Sequence, residues 1–156
     1  MKPDFFKGFP ATAVFERNLV WDTGMLEMFG QDQFEHLRLN VPYHVLSAQD
    51  VHMAGIGTFH NRDVSLTWVG RSRRNGADCA VIEYRAFFNP VEIANGGMTL
   101  KGRSHYWGEI WVSLSTKQLE YATLREDVLG ELTLAGQAPR VISVFRDGVF
   151  EPIRGQ

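Results

Sequence analysis

The chain has 156 residues, 44% hydrophobic and 22% charged, the balance of an ordinary globular domain, which excludes a disordered or low-complexity polymer. Sixteen Lys and Arg against eighteen Asp and Glu leave a formal charge of −2 with no basic face, which excludes nucleic acid as a partner. The single cysteine, Cys79, precludes an intramolecular disulfide and a CxxC motif, and no run approaches the ~20 apolar residues of a membrane span.

The opening Met1-Lys2-Pro3-Asp4 has no apolar run behind its charge and does not read as a signal peptide. A cytoplasmic location is therefore expected, although a mature periplasmic or secreted domain has the same appearance. Ala11–Trp21 alternates as a strand, closed by Asp22-Thr23-Gly24. Leu26 and Phe29, followed by Asp32 and Glu35 in capping-box spacing, predict one or two short helical turns between Met25 and Leu39. Pro42 argues against a central strand at its position, and Ser47 with Asp50 marks another helical turn.

The second half is written in hairpins. Asn75-Gly76 and Asn95-Gly96 have the composition of two-residue type I′ turns, which need positive φ at both central positions, and Thr116-Lys117 is a weaker turn of the same length. These turns divide the chain into strands near 64–73, 78–93, 98–115 and 118–134, and a last strand runs about 141–150. Long neighbouring strands leave long edges unless the sheet curls on itself. The predicted fold is a mainly β, single-domain antiparallel barrel over residues 1–156, with one or two short helices in its N-terminal half.

Two-residue turns fix the register arithmetically. Trp68 then faces Glu83, Leu66 faces Arg85, Arg85 faces Tyr106, Glu83 and Arg125 meet over Gly108, and Tyr106 faces Asp127. One face collects Leu66, Trp68, Glu83, Arg85, Ser104, Tyr106, Arg125, Asp127 and Leu129, apolar at its ends and charge-balanced across the middle, as a buried row requires. That face is assigned to the lumen. The other carries Ile82, Tyr84, Trp107, Trp111, Leu124 and Glu126 and is assigned to the outside, where the Trp107/Trp111 strip suggests a homodimer contact.

Two functional readings follow. In the first, the barrel binds a small, partly apolar, anionic molecule through Leu66, Trp68, Arg85, Ser104, Arg125 and Leu129. In the second it is a cofactor-independent cyclase or isomerase in which Tyr106, Glu83 and Asp127 transfer protons. The bland alternative is a salt-bridge ladder that fixes register and meets no ligand. No cofactor or metal is expected: His60 and Asp63 have no second close His or Cys, and the eight-residue spacing of His36, His44, His52 and His60 matches neither helix nor strand. There is no nucleophile elbow, and Gly55-Ile56-Gly57 is too short for a dinucleotide fingerprint. In general layout the hairpin-linked strands resemble lipocalin-type and allene-oxide-cyclase-like small barrels, a likeness of architecture that implies no residue roles.

Overall fold

A computed structural model describes residues 22–53 and 57–152; the expected strand Ala11–Trp21 lies outside the described residues. Residues 22–27 are α-helical and run on into a π-helical stretch, Met28–Asp32, followed by a 3₁₀ turn, Phe34–His36. Six strands follow: β1 (Tyr43–Met53), β2 (Gly57–Arg74), β3 (Ala77–Asn95), β4 (Met98–Ser113), β5 (Leu119–Leu134) and β6 (Arg140–Phe150). They form one antiparallel meander in chain order. The expected helical turn at Ser47 and Asp50 is instead part of β1, an edge strand entered just after Pro42. The capping box is not formed either, since no side chain caps the 3₁₀ turn.

The expected closure into a barrel is not seen. Among the described residues β1 and β6 are the two ends of an open sheet. Its inner face is covered by the helix, whose Met25, Leu26 and Phe29 pack with Val64, Leu66, Ile82, Tyr84, Ile110, Val112, Ala122 and Leu124. Each large side chain buried there contributes roughly 1.5–3 kcal/mol. The 3₁₀ turn sets Phe34 against Trp68, with ring centres 6.1 Å apart. Among the described residues no helix is long and apolar enough to cross a membrane.

From β2 to β6 the strands lie where the alternation puts them, but their registers do not. Asn75-Gly76 forms the expected turn, with φ of 52° and 82°, and Arg74 pairs with Ala77. Five residues back, a bulge at Val69 lets Trp68 pair with Ile82 and Leu66 with Tyr84, one step from the expected partners Glu83 and Arg85. The next turn is Gly96-Gly97, with φ of 56° and 85°, and Asn95 pairs with Met98. A second bulge at Phe87 and Phe88 then sets Ala86 opposite Tyr106. Between β4 and β5 the connection is five residues long, 114–118, with Lys117 at φ 62°. A third irregularity beside Val112 places Tyr106 opposite Glu126 rather than Asp127. Because strand side chains alternate, each one-residue slip carries a strand's whole set to the other face.

Cys79 is fully buried at the start of β3, its thiol donating to the Ala77 carbonyl at 3.5 Å. Burial, and then the charge of Glu120, push the thiol up from its ordinary range.

Candidate functional site

The slips divide the expected row between the two faces. Leu66 and Trp68 belong to the inner face, the first fully buried and the second half-buried with its indole N–H donating to the Gly70 carbonyl at 2.6 Å. Ser104 and Tyr106 are buried on the same side. Glu83, Arg85, Arg125, Asp127 and Leu129 turn to the outer face instead, a correction to the lumenal placement; their neighbours Ile82, Tyr84, Leu124 and Glu126 turn inward. The outward assignment of Trp107 and Trp111 agrees with the structure, in which both are half-buried.

On the inner face the polar groups are tied to one another. Tyr106 donates to Asn61 Oδ1 at 2.7 Å, and Ser104 donates to Glu126 Oε1 at 2.6 Å. Arg146 of β6 reaches inward and clasps two carboxylates. Its Nε lies 2.6 Å from Glu126 Oε2, while Nη1 and Nη2 contact Asp22 of the helix at 2.8 and 3.3 Å. Burial raises the Asp22 pKa despite the opposing pull of Arg146. The guanidinium is held charged because Glu126 and Asp22 together outweigh its desolvation. Burial, and next the charge of Glu126, push the Tyr106 phenol above its ordinary range, which opposes a proton-transfer role. The sequence reading missed this cluster, although an arginine in step with the inward-facing Phe150 demanded a buried acid nearby.

The outer face carries an open groove of about 330 Å³ lined by Glu83, Arg85, Trp107, Glu109, Thr123 and Arg125, with Tyr121 at one end. Arg85, Trp107 and Arg125 are direct cross-strand neighbours on β3, β4 and β5. At ~4.8 Å between strands, the two arginine Cα atoms stand about 10 Å apart on either side of the indole. Glu83 and Glu109 face each other in the adjacent row, where like charges directly opposite are unfavourable. Each has a partner: Arg85 lies 3.0 Å from Glu83, and the Trp111 indole N–H donates to Glu109 at 3.1 Å. Arg125 has a looser contact, 3.9 Å, with Asp147.

The groove lies where the β4–β5 ladder is remodelled. The Thr123 carbonyl accepts the Tyr84 hydroxyl at 2.7 Å, and its side-chain oxygen accepts the Glu109 amide at 3.0 Å. Gly108 makes this feasible, since a Cβ there would fall 2.1 Å from the Thr123 carbonyl oxygen and 2.9 Å from the Tyr84 hydroxyl. Glu83 and Arg125, expected to meet over Gly108, are not what fills its space; the Thr123 carbonyl and the Tyr84 hydroxyl do. Tyr121 is capped by Arg74, whose guanidinium carbon sits 3.6 Å from the ring centre and 5.8 Å from that of Trp111.

Three expected site residues, Glu83, Arg85 and Arg125, therefore meet in one groove, joined by Trp107, Glu109, Thr123 and Tyr121, which the sequence reading did not select. Asp127 lies on the outer face but does not line the groove, and it accepts a long hydrogen bond from Ser143 at 3.4 Å. Two of the five histidines pair with carboxylates near the surface, His44 with Asp63 at 2.7 Å and His60 with Asp50 at 2.6 Å. Among the described residues no group of three His, Cys, Asp or Glu is placed to hold a metal. Comparison of the chain with family models, with curated proteins and with solved structures returns no match.

Proposed function

We propose that the chain is a non-catalytic binder of a small, partly apolar anion, which lies across Trp107 in the outer groove rather than inside a lumen. The row Arg85–Trp107–Arg125 carries this reading, because it sets a flat apolar platform between two guanidinium groups. An aromatic or alicyclic carboxylate would stack on the indole and take a forked hydrogen-bond pair from either arginine. The arginines' present partners are exposed carboxylates, and such pairs contribute little. Exchanging one for a ligand carboxylate therefore costs little. The proton-transfer reading finds less support, since Tyr106 and Asp127 are on opposite sides of the sheet and Glu83 alone of its three residues lines the groove.

The test is titration with 2-naphthoate and its neutral amide, 2-naphthamide, by calorimetry and tryptophan fluorescence. The acid should bind roughly tenfold more tightly than the amide, the equivalent of one charge-assisted hydrogen bond. Trp107→Ala should abolish binding, and Arg85→Gln and Arg125→Gln should each weaken it without moving the melting temperature. Equal affinity for acid and amide, or binding unchanged in Trp107→Ala, refutes the assignment.

A further inference from the structure

β6 is the terminal strand of the sheet, and among the described residues it has β5 on one side and no strand on the other. Its outer face reads Val141, Ser143, Phe145, Asp147, Val149, paired in turn with Glu131, Leu129, Asp127, Arg125 and Thr123 of β5. Val141, Phe145 and Val149 are 76%, 62% and 64% exposed, a spacing of four residues that keeps all three in one line. A long apolar edge of this kind is a template for strand addition unless a charge, a proline or a bulge blunts it. β6 has no proline, and its pairing with β5 is unbroken. Of its two central charges, Arg146 is turned inward and held by Asp22 and Glu126, and Asp147 on the outer row lies 3.9 Å from Arg125 of β5.

The outer row is also symmetric about its midpoint, and that symmetry identifies the partner. We propose that β6 pairs with β6 of a second copy of this chain, antiparallel and centred on Phe145, so that two sheets become one. In that register Phe145 meets its own counterpart, Val141 meets the second copy's Val149, and Ser143 meets the second copy's Asp147. Apolar groups oppose apolar groups, and a hydroxyl donor opposes a carboxylate. Centring the pair one residue earlier puts Val141 against Asp147 and Ser143 against Phe145. Centring it one residue later puts Phe145 against Asp147. Of these three the Phe145-centred arrangement is the complementary one, and it gives the isologous contact of a two-fold dimer. On the other face Val144 falls opposite Arg146, so no like charges meet.

The test is the mass of the full chain by sedimentation velocity over a concentration series, with two double variants at exposed positions. The wild type should reach the mass of two chains. Val141→Glu with Val149→Glu sets carboxylates opposite each other at both ends and should give one chain at every concentration, with an unchanged circular-dichroism spectrum. Val141→Lys with Val149→Glu sets opposite charges against each other in this register alone and should restore two chains. A wild type that stays at one chain, with another segment or nothing on the β6 edge, overturns the proposal. So does a dimer that survives the double glutamate variant, or a lysine–glutamate variant that remains at one chain.

Discussion

The clasp of Arg146 on Asp22 and Glu126 joins the helix to the outermost strand of the sheet, and Arg146→Met measures what it contributes. Methionine keeps most of the apolar stem and removes the charge, leaving two carboxylates whose side chains are only 5% and 11% exposed. Breaking a buried ion pair by removing one partner costs roughly 3–5 kcal/mol. The Arg146 side chain is 35% exposed, so water screens part of the interaction and the lower end, about 3 kcal/mol, is the expected loss. For a chain of this length that corresponds to a fall in melting temperature of about 6–12 °C. The loss should also depend on pH in a defined direction. Without Arg146, burial at Asp22 goes unopposed and raises its carboxyl pKa further above the unfolded value. A group whose folded pKa is raised contributes stability at low pH that is lost as pH rises through that value. The deficit of the variant should therefore be largest at neutral pH and shrink on acidification. Thermal unfolding followed by circular dichroism across that range is the assay. A melting temperature unchanged at neutral pH, or a deficit that grows with acid, refutes the assignment of the clasp as a stabilising contact between buried charges.

Asp22→Asn should change stability at neutral pH by no more than ~1 kcal/mol, because the native environment already disfavours the ionised carboxyl. Its melting temperature minus that of the wild type should fall as pH drops from neutral toward the ordinary carboxylate range, since only the wild type gains from protonation there. Tyr106→Phe orphans the buried Asn61 acceptor and should lower stability by about 1–2 kcal/mol, with 2-naphthoate affinity unchanged because the groove is on the other side of the sheet. Gly108→Ala drives a Cβ into the Thr123 carbonyl, so β4 and β5 must part. A loss of about 3 kcal/mol in urea unfolding is expected, together with loss of ligand binding.

The positions of β2 to β6 and the helical turns between Met25 and Leu39 were legible in the sequence, because alternation and turn residues mark them locally, whereas β1 was read as a helical turn. Register was not, and the reason lies in particular residues. Asn75-Gly76 forms the turn its composition predicts, yet Val69 bulges out six residues before Asn75, and no turn rule foresees that. In Asn95-Gly96-Gly97 two competing two-residue turns overlap, and the Gly-Gly pair takes the corner. Thr116-Lys117 sits inside a five-residue connection closed by the Lys117 amide donating to the Ser113 carbonyl at 2.9 Å. An aromatic residue at positive φ, Phe88, is held in the second bulge by its amide donating to His105 at 3.3 Å, a strained conformation that propensity argues against. The candidate site was legible in part for the same reason. Glu83, Arg85 and Arg125 stay together because β3 and β5 slipped alike, while Tyr106 on β4 kept its own face.

The thiol of Cys79 gives this fold a built-in clock. Ser72 and Ser113 flank it on the neighbouring strands and the residue is fully buried, so a maleimide should reach the sulfur only when this part of the sheet opens. With one cysteine in the chain, the rate of labelling reports how often the turn-proximal end of β3 opens, away from the edge strands β1 and β6. A ligand that grips the outer groove should slow that labelling in proportion to its occupancy, giving a binding readout that requires no catalytic assay.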